Sequence, residues 1–242
     1  MLTLMLMRHA QSLGNLQGQM EGQRSSSLSP AGHWQARRLS QSLIQSDRLP
    51  THLYSSPLRR ATQTADSILD ALRSAQHLLT IQPAEALQEV HQGIFQGLTW
   101  DQAQARYPQL CARLLSTLDW QPVPEAESLL AARMRAQQWL SHTLSSHHPG
   151  DVIWAVSHEG ILQQLISVVM GCDRTWKISI PHTALFEFQL AEMPAKEPAN
   201  LAASDWPQSL SHNRFNPEYW RICRFNDTSH CTSLPIESAQ LE

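Results

Sequence analysis

Two short apolar runs of the chain each end directly at charged or imidazole side chains. LTLMLM, residues 2–7, is followed by Arg8 and His9, and VIWAV, residues 152–156, is followed by Ser157-His158-Glu159. A continuous apolar run of this length is typical of a strand that is covered on both faces. The pattern therefore predicts two buried strands with chemically active side chains at their ends.

The rest of the pattern alternates between strand and helix signals. Apolar residues recur at helical spacing between shorter apolar runs that mark further strands. Helices are predicted at 27–46, 57–75 and 161–171, and further strands at 51–56, 78–83, 184–190 and 219–225. This alternation predicts an α/β fold with parallel connections, and such sheets bind ligands at the carboxyl ends of their strands. His9 and His158 both lie at such ends.

Two segments interrupt the alternation. Residues from about 95 to 146 read as helical with a break at DWQPVPEAE, which predicts a helical cap inserted between strands. Residues from about 191 to 218 are rich in Pro, Ala and Ser, which predicts a loop-rich excursion that is either a lid over the site or disordered. We expect one domain over residues 1–242, because a chain of this length can bury a single large core.

Net charge and cysteine content indicate which binding partners and which cellular compartment to expect. The formal net charge is −3, the pI is about 6.4 and no run of Lys or Arg occurs, so a face that binds nucleic acid is not expected. The first apolar run is too short for a signal peptide or a membrane span, and no membrane partner is expected. The four cysteines show no CxxC spacing, which favours reduced thiols and a cytoplasmic location.

The twelve histidines do not form a recognisable metal motif. They are scattered, and the nearest approach to a ligand pair, His147-His148, precedes Pro149 in a pattern typical of a solvated helix end. We predict neither a metal site nor a cofactor. A metal-dependent hydrolase that uses these histidines is kept as an alternative, and it predicts loss of activity in a chelator.

Arginine, histidine and glutamate collect at one edge of the predicted sheet. Arg8 and His9 end the first apolar run, Arg59-Arg60 opens the second helix, Glu89 lies in a glycine-rich turn and His158 ends a later run. Arginine presents a planar fork of donors that matches phosphate oxygens, and helix amino termini add aligned N–H groups. The set predicts anion chemistry.

These motifs resemble those of the histidine phosphatase superfamily, which includes cofactor-dependent phosphoglycerate mutases and small-molecule phosphatases. RHAQS with Asn15 matches the family's first signature, and SPLRRATQTA aligns Arg60, rather than Arg59, with its phosphate ligand. LQEVHQGIFQG places Glu89 at the acid/base position, SHEG matches Ser-His-Gly-Gly, and FNDTSHC matches the family's closing Asn-Asp-x-x-His. The motifs occur in the family's order, and the resemblance extends over about residues 2–231.

The resemblance implies a three-layer α/β/α fold of the phosphoglycerate mutase type, with a mostly parallel central sheet and a helical cap. It implies that His9 attacks a phosphoryl group as a neutral imidazole and becomes a phosphohistidine, which water hydrolyses. Arg8, Arg60 and His158 are expected to hold the phosphoryl oxygens, and Glu89 to protonate the leaving oxygen. The implied activity is metal-independent hydrolysis of a small phosphorylated metabolite.

A second set of residues is expected to contact the phosphate or the rest of the substrate. Besides Arg8 and Arg60, it consists of Ser12, Asn15, Gln17, Gly22 and Glu159. The chain departs from the family's pattern at Ala10 and Glu159, which replace glycines, and at Gln11 and Gln96, which replace glutamates. Glu159 brings negative charge near the phosphate pocket and disfavours highly anionic substrates unless it turns to solvent.

Two further alternatives concern the activity itself. Val90 and Gln92 stand where the mutases of this family carry an Arg and a Tyr, and the cap stretch 111–121 has the lone Arg113, so a hydrolase is favoured over a mutase. A non-catalytic member that keeps the phosphate pocket for binding or regulation is the other alternative. Cap side chains are expected to select the substrate, the candidates being His91, Trp100, Arg106, Tyr107 and Arg135. For Trp100 and Tyr107, packing in the core of the cap explains the residue type as well as contact with the substrate does.

The oligomeric state is a separate question. The exposed edge strands that are typical of this fold allow a homodimer.

Overall fold

The central element is a six-stranded sheet in the order β3-β2-β4-β1-β5-β6. The computed structural model describes residues 1–46, 48–116, 121–172, 178–191 and 220–231 of the chain. Its strands are β1 (Leu2–Arg8), β2 (His52–Ser55), β3 (Ile81–Pro83), β4 (Val152–Ser157), β5 (Leu185–Leu190) and β6 (Arg221–Asp227). Strands β1 to β4 run parallel to one another, whereas β5 runs antiparallel to β1 and β6 antiparallel to β5.

The described ranges contain seven α-helices, and some of these helices cover the two faces of the sheet. The seven are α1 (Leu13–Leu16), α2 (Pro30–Leu43), α3 (Arg59–Ser74), α4 (Trp100–Arg106), α5 (Pro108–Ser116), α6 (Leu129–Ser146) and α7 (Glu159–Val169). Helices α2 and α3 contribute to a hydrophobic cluster on one face, and α6 and α7 to a cluster on the other. The predicted three-layer α/β/α fold with a mostly parallel sheet is thereby confirmed.

Strand β1 supplies both hydrophobic clusters in alternation. Leu4 and Leu6 belong to the cluster that contains α6 and α7, while Met5 and Met7 belong to the cluster that contains α2 and α3. Successive side chains of a strand point to opposite faces, so a strand with a core on each side is apolar at every position. This explains the uninterrupted apolar run at the start of the sequence.

Hydroxyl side chains define where several helices begin. Ser29 precedes α2 and accepts a hydrogen bond from the backbone N–H of Gly32 at 2.9 Å, and Pro30 occupies the first helical position. Ser128 caps α6 through the N–H of Ala131 at 3.1 Å. Each cap satisfies an N–H group that has no partner within the helix.

The structure divides the segment predicted as a cap. Helices α4 and α5 share a small separate cluster around Phe95, Ala103 and Leu110. The buried face of α6, by contrast, joins the main core with Leu140 and Leu144. The separately packed cap is therefore narrower than the predicted range of 95–146, because α6 has an apolar face wide enough to form part of a main layer.

The register of the sheet brings the polar strand ends together. Arg8 lies opposite Ser157 across the β1–β4 pair, and Met7 lies opposite Leu185 across the β1–β5 pair. His9, His158 and the segment that precedes β5 therefore meet at one edge of the sheet.

The predicted excursion at 191–218 lies outside the described residues except for Ala191. Among the helices of the described ranges, none is both long and apolar enough to cross a bilayer. Within the same ranges, no group of three or more His, Cys, Asp or Glu side chains is arranged to hold a metal ion.

Candidate active site

His9 follows β1 and is almost fully buried, with 2% of its surface exposed. Its backbone N–H donates to the carbonyl of Ser157 at 2.9 Å, and its Nδ1 lies 2.7 Å from the carbonyl oxygen of Ala10. A carbonyl only accepts, so Nδ1 carries the proton and Nε2 presents its lone pair as an acceptor. Burial, together with Arg60 and Arg8, holds the pKa of His9 well below its usual value. Ala10 has a negative φ, so this departure from glycine causes no backbone strain.

Arg60, at the start of α3, is aimed at the lone pair of His9. Its Nε lies 3.1 Å from His9 Nε2, while Nη2 donates to the carbonyl of Gly22 at 2.7 Å and Nη1 to the carbonyl of Arg24 at 2.5 Å. The side chain is fully buried, whereas that of the neighbouring Arg59 is exposed. The structure thus places Arg60, rather than Arg59, in the site, as the motif alignment predicts.

Arg8, the last residue of β1, retains an unused donor. Its Nη1 donates to the carbonyl of Ile180 and lies 3.0 Å from a carboxylate oxygen of Glu159. Its Nε is buried and has no hydrogen-bond partner among the described residues. An unpaired buried donor is costly unless a ligand or water satisfies it, so this N–H is suited to an anionic oxygen.

His158, immediately before α7, provides a second unused donor. It is fully buried, and its Nε2 lies 2.7 Å from the hydroxyl oxygen of Ser56. That oxygen also accepts the N–H of Leu58 at 3.3 Å, and in the tautomer in which the Ser56 hydroxyl donates to Nε2 the ring proton lies on Nδ1. Nδ1 is buried without a partner among the described residues. Burial and the nearby Arg60 hold the pKa of His158 well below its usual value, so this donor is a neutral imidazole.

Glu89 lies against the amino terminus of α7. One carboxyl oxygen accepts the N–H groups of Val90 at 2.8 Å and Ile161 at 3.1 Å, and the other accepts the N–H of Gly160 at 3.2 Å. Burial raises the pKa of Glu89, although these N–H groups, Arg60 and Arg8 act in the opposite direction. A carboxyl group with a raised pKa is suited to exchange protons near working pH.

Arg135 supports the segment that carries Glu89. Its guanidinium forms a two-point ion pair with Glu127, at 2.9 and 2.7 Å, and Nη1 donates to the carbonyls of Ala86 and Gln88 at 2.7 and 2.8 Å. Arg135 was a candidate for contacting the substrate from the cap. The structure instead engages its guanidinium with the backbone on the N-terminal side of Glu89.

Ser12 and Asn15 form a capping box around α1. The Ser12 hydroxyl accepts the N–H of Asn15 at 3.0 Å and donates to the carboxylate of Glu21, so both of its roles are used within the protein. Asn15 Oδ1 accepts the N–H of Ser12 at 3.2 Å and lies 3.1 Å from Nε2 of His182. Since the oxygen is engaged, Asn15 offers a ligand its amide N–H groups. The expected contact from Ser12 to the substrate is replaced by a contact to Glu21.

His182 is a third imidazole of the site that the sequence reasoning missed. Its ring centroid lies 6.0 Å from that of His9, and burial and Arg8 lower the pKa of His182 to about 4. The next residue, Thr183, has a φ of 62°, and its hydroxyl donates to the carbonyl of His182 at 2.6 Å and lies 2.9 Å from His230 Nε2. His230 is the histidine of the closing Asn-Asp-x-x-His motif, which was the available signal for this support.

Three further residues that were expected to contact the substrate, Gln17, Gly22 and Glu159, lie in three different environments. Gln17 is exposed at the end of α1, and none of the described site residues forms a hydrogen bond with its side chain. Gly22 contributes its carbonyl to Arg60 in a left-handed conformation, with φ of 52°. Glu159, the first residue of α7, pairs with Arg8 instead of turning to solvent.

The remaining cap candidates lie within the cap or on its surface. The rings of Trp100 and Tyr107 pack on Phe95, with centroids 6.5 and 6.0 Å apart, which favours the cap-core interpretation. Arg106 is exposed, and His91 Nδ1 accepts the N–H of Gly93 at 3.0 Å.

Comparison with known proteins agrees with this geometry. The sequence model of the histidine phosphatase superfamily (branch 1) matches residues 4–196. A Hydrogenobacter thermophilus protein named as a candidate phosphoserine phosphatase is 31% identical over 190 residues, which cover 77% of this chain and 89% of that protein. A 2,3-bisphosphoglycerate-dependent phosphoglycerate mutase of Brucella anthropi is 32% identical over 170 residues, 70% of this chain and 82% of the mutase.

A solved structure shares the fold. The mycobacterial glucosyl-3-phosphoglycerate phosphatase in complex with VO3 superimposes with a TM-score of 0.69 at 22% identity, over 93% of this chain and 99% of that one. The chain therefore belongs to the histidine phosphatase superfamily, and the prediction that it is an enzyme of this superfamily is confirmed.

Proposed function

We propose that the protein is a metal-independent phosphomonoesterase that hydrolyses a small phosphorylated metabolite through a phosphohistidine on His9. The observation that carries the proposal is the pair of buried, unpartnered donors, Arg8 Nε and His158 Nδ1, in the same site as the His9 lone pair. A phosphoryl group has the oxygens that such donors require and the phosphorus that such a lone pair attacks. Phosphatase names among the relatives support the hydrolase part of the proposal.

The first step forms a bond between His9 Nε2 and phosphorus while the bond from phosphorus to the leaving oxygen breaks. In the free protein Arg60 Nε donates to Nε2 at 3.1 Å, so in this scheme that N–H passes from Nε2 to an oxygen of the bound phosphoryl group, and the positive charge of Arg60 lies where charge develops on that group. Arg8 and His158 hold the oxygens of that group. The leaving oxygen receives the electron pair of the broken bond and a proton from Glu89.

The second step reverses the roles. Water attacks phosphorus, the bond to Nε2 breaks, and Glu89 takes a proton from the water. Inorganic phosphate leaves, and His9 returns to the neutral form. Arginine side chains supply positive charge in every step of this scheme, so it assigns no role to a metal ion.

The proposal is tested by hydrolysis of p-nitrophenyl phosphate in excess EDTA. We expect turnover by the wild type, no turnover by His9→Ala, and acid-labile phosphate trapped on the wild type alone. His33→Ala is the matched control, because His33 is an exposed histidine of α2. Full activity of His9→Ala would contradict the proposal, and so would activity that EDTA abolishes.

Phosphoryl transfer between positions of one substrate is the second candidate, since the Brucella anthropi mutase is a relative at 32% identity. The buried Val90 beside Glu89 offers no cation for a substrate carboxylate, which favours hydrolysis. Conversion of one phosphoglycerate isomer into the other faster than release of inorganic phosphate would favour the mutase.

We also propose a reducing compartment, the cytoplasm, as the location of the reaction. All four cysteines are free thiols, and the described structure contains no disulfide among them.

A further inference from the structure

Glu159 places a carboxylate beside Arg8, one of the residues proposed to hold the phosphoryl group. It is the first residue of α7, directly after His158, and about a third of its side chain is exposed. Oε2 lies 3.0 Å from Arg8 Nη1, and Oε1 accepts the backbone N–H of Ile180 at 3.2 Å. Both oxygens are therefore held, and the carboxylate remains beside the pocket.

A bound phosphoryl group does not need to displace this carboxylate. Arg8 uses Nη1 for Glu159 and for the carbonyl of Ile180, while its Nε is buried and lacks a partner among the described residues. The phosphoryl oxygen can take Nε while Glu159 stays on Nη1. A substrate held by Arg8 Nε therefore has the Glu159 carboxylate on the same guanidinium.

The other arginine of the site is also matched by a carboxylate. Glu21 lies 3.8 Å from Arg60 Nε and is buried, with hydrogen bonds from Ser12 and Ser26. The two arginine charges are thus opposed by two carboxylates before the substrate arrives. The phosphoryl group adds negative charge, so a second anionic group on the substrate would find no uncompensated cation at Arg8 or Arg60.

We propose that Glu159 is a specificity residue that selects phosphate monoesters whose leaving group is cationic or uncharged and rejects leaving groups that carry a carboxylate or a second phosphate. The proposal rests on the proposed phosphatase function. A cationic group such as an ammonium, a few bonds from the ester oxygen, would pair with the exposed edge of the Glu159 carboxylate. An anionic group at the same place would be repelled by the partly exposed carboxylate, and this repulsion should lower kcat/KM by a factor on the order of ten.

The test compares three substrates of matched length: aminopropyl phosphate, propyl phosphate and carboxyethyl phosphate. For the wild type, kcat/KM should be on the order of tenfold higher for the amino ester than for the carboxy ester. In Glu159→Gln, which keeps an oxygen for the Ile180 N–H but removes the charge, this ratio should fall about tenfold. A ratio that Glu159→Gln leaves unchanged would overturn the proposal.

Asp70→Asn is the matched control, because it removes one negative charge from an exposed position on α3. It should leave the substrate ratio unchanged. A merely structural role of Glu159 at the start of α7 would lower stability without altering the ratio. If Glu159→Gln fails to fold, inhibition of the wild type by aminopropylphosphonate and carboxyethylphosphonate decides the question: equal or stronger inhibition by the carboxy compound overturns the proposal.

Different results overturn the proposed phosphatase function and the specificity role of Glu159. Absence of turnover and of phosphohistidine with every ester, p-nitrophenyl phosphate included, overturns the proposed function and the specificity role with it. Turnover of p-nitrophenyl phosphate through His9 with an unchanged ratio in Glu159→Gln overturns the specificity role alone.

Discussion

At the scale of single residues, the arginines of the site are held more rigidly than surface arginines. Arg60 directs Nε, Nη1 and Nη2 to three acceptors that belong to the protein, two of them backbone carbonyls. Its charge is therefore positioned before any substrate binds, and no side-chain entropy is lost at that moment. A lysine has no planar fork and cannot satisfy the same three acceptors.

Glu89 is the residue whose role depends most on the leaving group. A propyl leaving group needs a proton, whereas p-nitrophenolate leaves without one. We expect Glu89→Gln to lower kcat/KM for propyl phosphate by about 10²- to 10⁴-fold and to affect p-nitrophenyl phosphate far less. Glu85→Gln, a change at an exposed neighbour, is the control.

The pH dependence provides a second readout for Glu89. The first step needs the protonated carboxyl group, so kcat/KM for propyl phosphate should fall as pH rises through the raised pKa of Glu89. Equal losses with both esters in Glu89→Gln would contradict the role as a proton donor.

The sequence predicted the residues at strand ends and missed those that reach the site by another route. His9 and His158 follow parallel strands, where the rule for ligand sites applies directly. His182 precedes β5, which runs antiparallel to β1, so its amino-terminal end lies at the same edge as the carboxyl end of β1. Glu21 was missed because a lone carboxylate in a loop gives no sign that Arg60 will lie beside it.

At the scale of elements, α3 ends in a Schellman motif in which a glutamine occupies the position that favours glycine. The N–H of His77 donates to the carbonyl of Leu72 and that of Gln76 to the carbonyl of Arg73, both at 2.9 Å, which is the Schellman pattern. Gln76 occupies the left-handed position, with φ of 61°. Glycine adopts this conformation without the clash that a Cβ causes.

We expect Gln76→Gly to raise the free energy of unfolding by about 0.5–1 kcal/mol, because relief of the left-handed strain exceeds the entropy lost from a more flexible unfolded chain. Chemical denaturation measures the change. Gln104→Gly is the matched control, since Gln104 is exposed within α4 and glycine there should destabilise by about 0.5–1 kcal/mol. A loss of stability in Gln76→Gly would show that the strain is small.

Long elements could be predicted from their periodicity, and short ones could not. The apolar runs of β1 and β4 and the helical stripe of α3 gave clear patterns, and their positions agree with the structure. Helix α1 has only four residues, too few to show a period, and it depends on the capping box of Ser12 and Asn15. The division between cap and main layer depends on which surface α6 packs against, which the spacing along one helix does not specify.

At the scale of the whole molecule, five described histidines have lowered pKa values, with burial as the first cause in each. They are His9, His147, His158, His182 and His230. Below the usual pKa of 6.5 the unfolded chain takes up more protons on these residues than the folded protein does, so stability falls as pH falls. The raised pKa values of Glu89 and Asp66 act in the opposite direction above the usual values of 4.5 and 3.8, but they are two groups against five.

We therefore expect the free energy of unfolding to increase with pH between 4.5 and 6.5, with a slope of up to about 1.4 kcal/mol per pH unit for each fully buried histidine. Urea midpoints measured across this range give the slope. His147→Gln should make it shallower, because it removes one of the five groups at a residue whose described contacts are with Thr143, Tyr54 and His52 and not with the site. Stability that is flat or decreases with pH over this range would contradict the expectation.

The position of β1 in the sheet has a consequence for the synthesis of the protein. Thr3 pairs with Val152 on one side and with Gln189 on the other, so β1 is translated before both of its partner strands. While roughly 150 residues are being added, its apolar run has no strand partner, and unpaired apolar strands are where nascent chains aggregate. His9, the proposed nucleophile, directly follows that strand, so the growing chain acquires the second histidine of the site and the strand partners of β1 only after β4 and β5 have been made.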